Sequence, residues 1–301
     1  MATSHTDVHL AIIGGSGLYK LDGLTVVDEV YPETPWGYPS DKILIAQTAP
    51  SAPKIAFLAR HGHQHQHSPT KVPSRANMAA LKHLGVNAII AFSAVGSLRE
   101  EIRPGDFVLP TQIIDRTKGV RPDTFFDNGI LAHASFANPF YAPLGDLVAS
   151  HVHVLENDCR LHRDKTVVTI EGPAFSTRAE SNLYRSWGCD VVNMTAIPEA
   201  KLACEAEIAY QMVCMSTDYD CWRESEEPVT VQAVMSAMGR NAVNAKRLIQ
   251  AVLDTLIDVE KHQEVLQGIK GTMQYAIMTP KHARSAEANS QLRYILPQYC
   301  D

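Results

Sequence analysis

The stretch "RHGHQHQH", residues 60–67, sets an arginine and four histidines within eight positions. In an extended chain alternate residues share a face, so His61, His63, His65 and His67 would line up together. Such a face can ligate a metal, relay a proton or hold an anion. Metal sites need a second partner for each imidazole and usually carboxylates, and H-x-H alone specifies neither. Arg60 follows the apolar run "IAFLA". A guanidinium at a strand end suits a bidentate contact to an oxyanion, with His61 placed to donate a further hydrogen bond. The plainer reading of the histidines is an exposed polar loop.

A second stretch, "STDYDCW" at residues 216–222, places Asp218 and Asp220 just past the apolar run "YQMVCM". Two carboxyl groups close together raise at least one pKa, and a proton held near neutral pH can be delivered to a leaving group. Solvated aspartates in a polar loop remain the alternative.

Three further stretches could seat an anion. "GGSGLY" (14–19) follows a strand-like run, and its glycines allow backbone N–H groups to approach a phosphate. The dinucleotide fingerprint is incomplete, because Lys20 stands where its third glycine would be. "FSAVGSL" (92–98) offers Ser93 and Gly96, and "VVNMTAIPEA" (191–200) offers Thr195 ahead of a helix start marked by Pro198 and Glu199. A tight turn, a close-packed strand end and an ordinary N-cap by Thr195 are the respective alternatives.

These residues need elements to hold them. Apolar runs at 8–14, 41–47, 54–62, 86–98, 105–110, 165–172, 189–195 and 210–218 read as strands. Helices are expected from Ser74, as N-cap, to a stop at Gly85; after "NPFYAP"; from a Thr177–Glu180 capping box; from Pro198; and along an amphipathic stretch ending near residue 256. Strands alternating with helices imply an α/β fold with a largely parallel or mixed sheet. Every candidate residue then falls at a strand end, where open α/β sheets bind ligands. One domain over 8–258 is expected, with 259–301 as a loop-like or frayed helical tail.

Composition narrows the classes further. A formal net charge of −6 gives no basic surplus for nucleic acid. No apolar run approaches the roughly 20 residues that span a bilayer. The first residues lack a basic n-region and an apolar core, so a secretory signal is not expected. The six cysteines form no C-x-x-C pair and read as reduced thiols in the cytosol.

Taken as blocks, "IIGGSGLY", "ARHG", "GSLREEIRPGD", "IDRT", "TIEGPAFSTRAES", "NMTAIPEA" and "TDYDCW" closely resemble the methylthioadenosine branch of the purine nucleoside phosphorylase family. The resemblance covers about residues 10–260. It implies a single α/β domain with a central twisted mixed sheet flanked by helices. It also implies cleavage of methylthioadenosine by phosphate to adenine and methylthioribose-1-phosphate, in methionine and purine salvage. Phosphate would be a co-substrate, with no cofactor and no metal. By resemblance the phosphate ligands are Ser16, Arg60, His61, Ser93, the Ala94 amide and Thr195. Asp218 matches the acid at the purine N7, and Asp220 the carboxylate that accepts from the 6-amino group. Met194 matches a ribose-packing residue, and Phe175 and Ser176 the purine wall. Val231 matches an apolar residue by the methylthio group, with the tail after 259 on or near that 5' pocket. His133 matches a residue reaching a neighbouring subunit's site, which implies a homotrimer; a cytoplasmic and also nuclear location is a separate expectation from the resemblance. There are departures. Ser16 and Ser93 replace threonines, while Ala174 and His63 stand where arginines are common. The in-class alternative is a phosphorylase of adenosine, methylthioinosine, inosine or guanosine. From other classes, a histidine-rich metal module and a nicotinamide-dependent dehydrogenase are the competing readings.

Overall fold

A computed structural model describes residues 8–15, 18, 23–50, 52–223, 230–256 and 261–300. Strands β1 (Val8–Gly14), β2 (Thr25–Val30), β3 (Ile43–Gln47), β4 (Lys54–Ala59), β5 (Ala88–Ser97), β6 (Phe107–Asp115), β7 (Leu161–Thr169), β8 (Val191–Asn193) and β9 (Ala209–Asp218) form one mixed sheet. Its order is β2-β3-β4-β1-β5-β8-β7-β6-β9, and β9 also pairs with β5. That last pairing closes part of the sheet on itself: β5, β8, β7, β6 and β9 form a ring, and β1–β4 extend from it as an open wing.

The sheet centre is dry on both faces. Ala11 and Ile13 of β1 join one apolar cluster while Leu10 and Ile12 join another, and β5 divides in the same way, with Ile89 and Ala91 against Ile90 and Phe92. This is why these strands read as continuous apolar runs rather than alternating ones. Helices α1 (Ser74–His83), α2 (Ala142–Ser150), α3 (Arg178–Ser186), α4 (Ala196–Glu205), α5 (Val231–Leu256), α6 (Gln263–Gln267) and α7 (Ala286–Ile295) cover the faces. Along α5, Ala237, Asn241, Ala245, Leu248, Ile249, Val252 and Leu256 are buried, the spacing of one helical face. The Thr177–Glu180 capping box opens α3 as expected.

Four expectations change. Strand β2 was not anticipated: it is an exposed edge paired antiparallel to β3, so burial writes little pattern into it. Ser74 is the first residue of α1 rather than its cap; Pro73 takes the cap position, without a side-chain bond. Residues 261–300 are no loose tail. Leu292 and Ile295 of α7 enter the same core cluster as β1 and α1. Ser285 caps α7 by accepting from the Ala288 N–H. Nor do residues 261–300 line the ligand cleft described below. They lie toward the opposite ends of the strands. At Gly268 (φ +67°) a Cβ would stand 2.4 Å from the Asn87 carbonyl oxygen, just before β5 begins.

Candidate active site

The C-terminal ends of β5, β8 and β9 open into a cleft of about 480 Å³, within the range of small-molecule sites. Arg60, His61, His65, Ser93, Ala94, Phe175, Ser176, Met194, Thr195, Asp218 and Asp220 all line it. Residues more than 150 positions apart thus converge. Ser16 lies outside the described residues.

One end of the cleft is built from a gap in the sheet. On one edge of β5, β1 pairs with Ala88–Ala91 and β8 with Gly96–Ser97, leaving Phe92–Val95 without a strand partner on that side. The Phe92 and Ala94 carbonyls point into this gap, where they accept from Arg60 Nη1 (2.9 Å) and Asn193 Nδ2 (3.3 Å). A strand residue's N–H and C=O point the same way, so the Ala94 N–H faces the gap too. Ser93 Oγ and Thr195 Oγ1 lie 3.1 Å apart beside it. The Thr195 hydroxyl does not cap α4. Asn193 Oδ1 does that work, accepting from the Thr195 and Ala196 N–H groups at 2.7 Å each. An N–H and two hydroxyls so placed can seat an anion.

Arg60 differs from expectation. Its bidentate partner is Glu199: Nε and Nη2 donate to the carboxylate at 2.8 and 2.9 Å. Tyr210 Oη donates to the same carboxylate at 2.7 Å. Arg60 is 3% and Glu199 1% exposed, and a charge so buried needs a partner inside the protein. The pair fixes the guanidinium at the floor of the anion end, where its positive charge lies beside the seat.

The histidines do not share a face. Gly62 and His65 adopt positive φ and the segment turns. His63 Nδ1 is 2.9 Å from Asp41 Oδ2, on the surface. His61 and His65 line the cleft with their rings stacked, centroids 5.6 Å apart. His61 Nδ1 donates to the His67 carbonyl at 2.8 Å, since a carbonyl can only accept. Burial, and then the charge of Arg60, pushes its pKa down to about 4. The neutral ring therefore carries its proton on Nδ1, and Nε2 is an acceptor. His61 is suited to receive a proton-bearing anion oxygen rather than to donate to a bare one. Among the described residues, no group of three or more histidine, cysteine, aspartate or glutamate side chains is placed to hold a metal.

The other end of the cleft holds the carboxyl pair. Asp218 Oδ1 accepts from the Asp220 N–H (2.8 Å) and Oδ2 from the Thr217 hydroxyl (2.7 Å). Asp220 is 5% exposed, and its Oδ2 is buried with no hydrogen-bond partner among the described residues. Burial raises both pKa values, that of Asp220 to about 6, and the charge of Asp218 adds to the rise. The shift arises chiefly from loss of water, not from mutual repulsion as the spacing suggested. Gly96 makes room for the pair: a Cβ there would stand 3.1 Å from Asp218 Oδ1 and 3.0 Å from Val192 Cγ1.

Val231 does not line the cleft. It is the first residue of α5 and is 69% exposed. One and two turns further on, Val234, Met235 and Met238 supply the apolar wall instead. His133 is exposed, outside the cleft, with its N–H bonded to the Ala276 carbonyl. Sequence reasoning missed Asn193 and Arg121. Asn193 was in view, two residues before Thr195, but its side-chain partners depend on the register of β8 against β5. Buried Arg121 donates to the Met194 and Glu171 carbonyls at 2.8 and 2.7 Å, tying together the two loops that carry Met194 and Phe175.

Comparison with known proteins agrees with this geometry. The chain is 52% identical to the S-methyl-5'-thioadenosine phosphorylase of Yarrowia lipolytica, over 99% of this chain and 96% of that one. It is 55% identical to the enzyme of the same name from Schizosaccharomyces pombe, over 96% and 95%. In structure it resembles a methylthioadenosine phosphorylase from an antarctic soil metagenomic library, with a TM-score of 0.89 and 41% identity over 97% of this chain and 100% of that one. A Schistosoma mansoni adenosine/methylthioadenosine phosphorylase variant in complex with methylthioadenosine has a TM-score of 0.81 and 30% identity, covering 90% and 99%. With the family model matched over residues 9–254, the chain belongs to the phosphorylase superfamily.

Proposed function

We propose that this protein cleaves 5'-methylthioadenosine with inorganic phosphate, giving adenine and 5-methylthioribose-1-phosphate. The observation that carries the reading is one cleft with a hydroxyl–amide anion seat at one end and two buried carboxyl groups of raised pKa at the other. Phosphate sits on Ser93, the Ala94 N–H, Thr195 and Arg60, with Ser16 completing the set and Nε2 of His61 accepting from a protonated phosphate oxygen. An oxygen so held attacks C1' in line as the glycosidic bond breaks through an oxocarbenium-like state. Electrons of that bond move onto the purine, and N7 takes a proton from the Asp218–Asp220 pair. We assign the donation to Asp218. Asp220 accepts from the 6-amino group, which a carboxylate favours over a 6-oxo group.

Met194 packs on the ribose, Phe175 and Ser176 wall the purine, and the apolar face of α5 receives the methylthio group. The reading calls for no cofactor and no metal, so EDTA should leave turnover unchanged. Exposed His133 is offered to a neighbouring subunit's site in a homotrimer, a reading that light scattering of the purified protein tests. Work in methionine and purine salvage would place the protein in the cytoplasm and nucleus. Adenine release from methylthioadenosine, adenosine, methylthioinosine and inosine, each with and without phosphate, tests the activity. Phosphate-dependent release led by methylthioadenosine supports it, whereas preferred cleavage of inosine would favour a 6-oxo nucleoside phosphorylase.

A further inference from the structure

Asn193 is 4% exposed, and all of its amide's polar atoms are engaged. Oδ1 accepts from the main-chain N–H groups of Thr195 and Ala196, both at 2.7 Å. An N–H can only donate, so the oxygen must face them and the Nδ2 hydrogens must face the other way. There Nδ2 donates to Ser93 Oγ at 2.8 Å, with the Ala94 carbonyl and Thr195 Oγ1 at 3.3 and 3.4 Å. The Ser93 hydroxyl proton is left to weaker contacts, the Ala94 carbonyl at 3.3 Å and Thr195 Oγ1 at 3.1 Å, which an incoming anion can displace. Ser93 Oγ and Thr195 Oγ1 lie 3.1 Å apart at the anion end, and neither caps a helix.

We infer that Asn193 is a positioning residue for the phosphate. It donates to the Ser93 hydroxyl oxygen, with the Thr195 oxygen next in reach, and so biases these hydroxyl protons toward the incoming anion. The inference rests on the anion-seat reading above and extends it: phosphate affinity depends on a residue that does not touch phosphate. The polarity of the amide, rather than its shape, carries the effect. A carboxylate at this position would keep the helix cap through one oxygen, but its other oxygen would accept from both hydroxyls. It would draw their protons away from phosphate and add a negative charge beside it.

The test uses Asn193→Asp, Asn193→Ala and Ser93→Ala in the full chain. Phosphate is varied at saturating nucleoside and the reverse, and melting is followed with and without phosphate. For Asn193→Asp, the phosphate KM should rise about 10- to 100-fold, the effect of losing one or two hydrogen bonds to an anion, with the nucleoside KM changed less than about threefold. Its melting temperature without phosphate should stay near that of the parent, and phosphate should no longer raise it. Asn193→Ala removes the cap as well and should be less stable; if it does not fold, Asn193→Asp still decides the matter. A phosphate KM within about twofold of the parent in Asn193→Asp, while Ser93→Ala raises it, would show that Asn193 only caps the helix. If Ser93→Ala also leaves the phosphate KM unmoved, the anion seat itself is misplaced and the inference falls with it.

Discussion

Two buried carboxyl groups, at the two ends of the β5–β9 pair, are treated in opposite ways. Glu207, just before β9, is 1% exposed and takes three donors: the Met273 N–H at 2.8 Å, Tyr299 Oη at 2.6 Å and Gln298 Nε2 at 3.1 Å. All three lie in the C-terminal segment, so the carboxylate fastens residues 273–299 to the sheet. Asp220, just past β9, is 5% exposed and leaves one oxygen buried without a partner among the described residues. The first arrangement stabilises the fold. The second costs stability and leaves an acceptor, or a proton, waiting for a ligand. Buried polar groups are normally satisfied, and the departures concentrate where a substrate completes the bonding.

Substitutions at the two ends should therefore separate activity from stability. The largest effect is expected at the cleft. Asp218→Asn should lower kcat by about 10²- to 10⁴-fold, the usual worth of a general acid, while the fold melts as before. Unchanged adenine release would remove Asp218 as the proton donor. Glu207→Ala should do the reverse. Losing the common acceptor of three buried donors should cost about 3 kcal/mol in urea unfolding, with KM for both substrates unmoved at permissive temperature. An equal loss of phosphorolysis would mean that the two ends are not independent.

The pH dependence of stability sharpens the comparison. Asp220 has its folded pKa raised from 3.8 to about 6. Between those values the folded state binds more protons than the unfolded one, so this contribution favours folding in acid and is lost as pH rises through about 6. It amounts to roughly 3 kcal/mol at most. Asp220→Asn should flatten that decline in melting temperature between about pH 4 and 6, which a series of melts would read directly. The smallest effect is expected at Gly96→Ala. A Cβ 3.1 Å from Asp218 Oδ1 crowds the carboxyl pair. The nucleoside KM should rise about tenfold, with the phosphate KM little changed. A rise in the phosphate KM instead would place Gly96 in the anion seat.

Much of the site was legible along the chain. Ser93, Thr195, Asp218 and Asp220 each follow an apolar run; the parallel pairing of β5 with β9 sets Ser93 near the two aspartates, and antiparallel β8 delivers Thr195 to the same place. The Thr177–Glu180 cap needed only four residues to be read, because its bonds are local. Residues 261–300 were harder. Their burial comes from contacts with β1, α1 and β9, and a short helix such as α7 has little periodicity of its own. Val231 was displaced for a related reason: the helical face that meets the cleft is set by how α5 packs, which puts Val234, Met235 and Met238 there.

Residue types and their positions after apolar runs determined the fold class and singled out the candidate hydroxyls and the acidic pair, because those signals are local and chemical. Tertiary structure alone decided what each group can do. Glu199, 139 residues from Arg60 along the chain, occupies the guanidinium edge expected to meet the anion. The turn at Gly62 and His65 separates four alternating histidines and leaves neutral His61 an acceptor. The register of β8 against β5 sets Asn193 under two hydroxyls. A hydrogen bond's direction and a carboxyl group's proton depend on partners and on the exclusion of water, and both are assembled only when distant segments pack together.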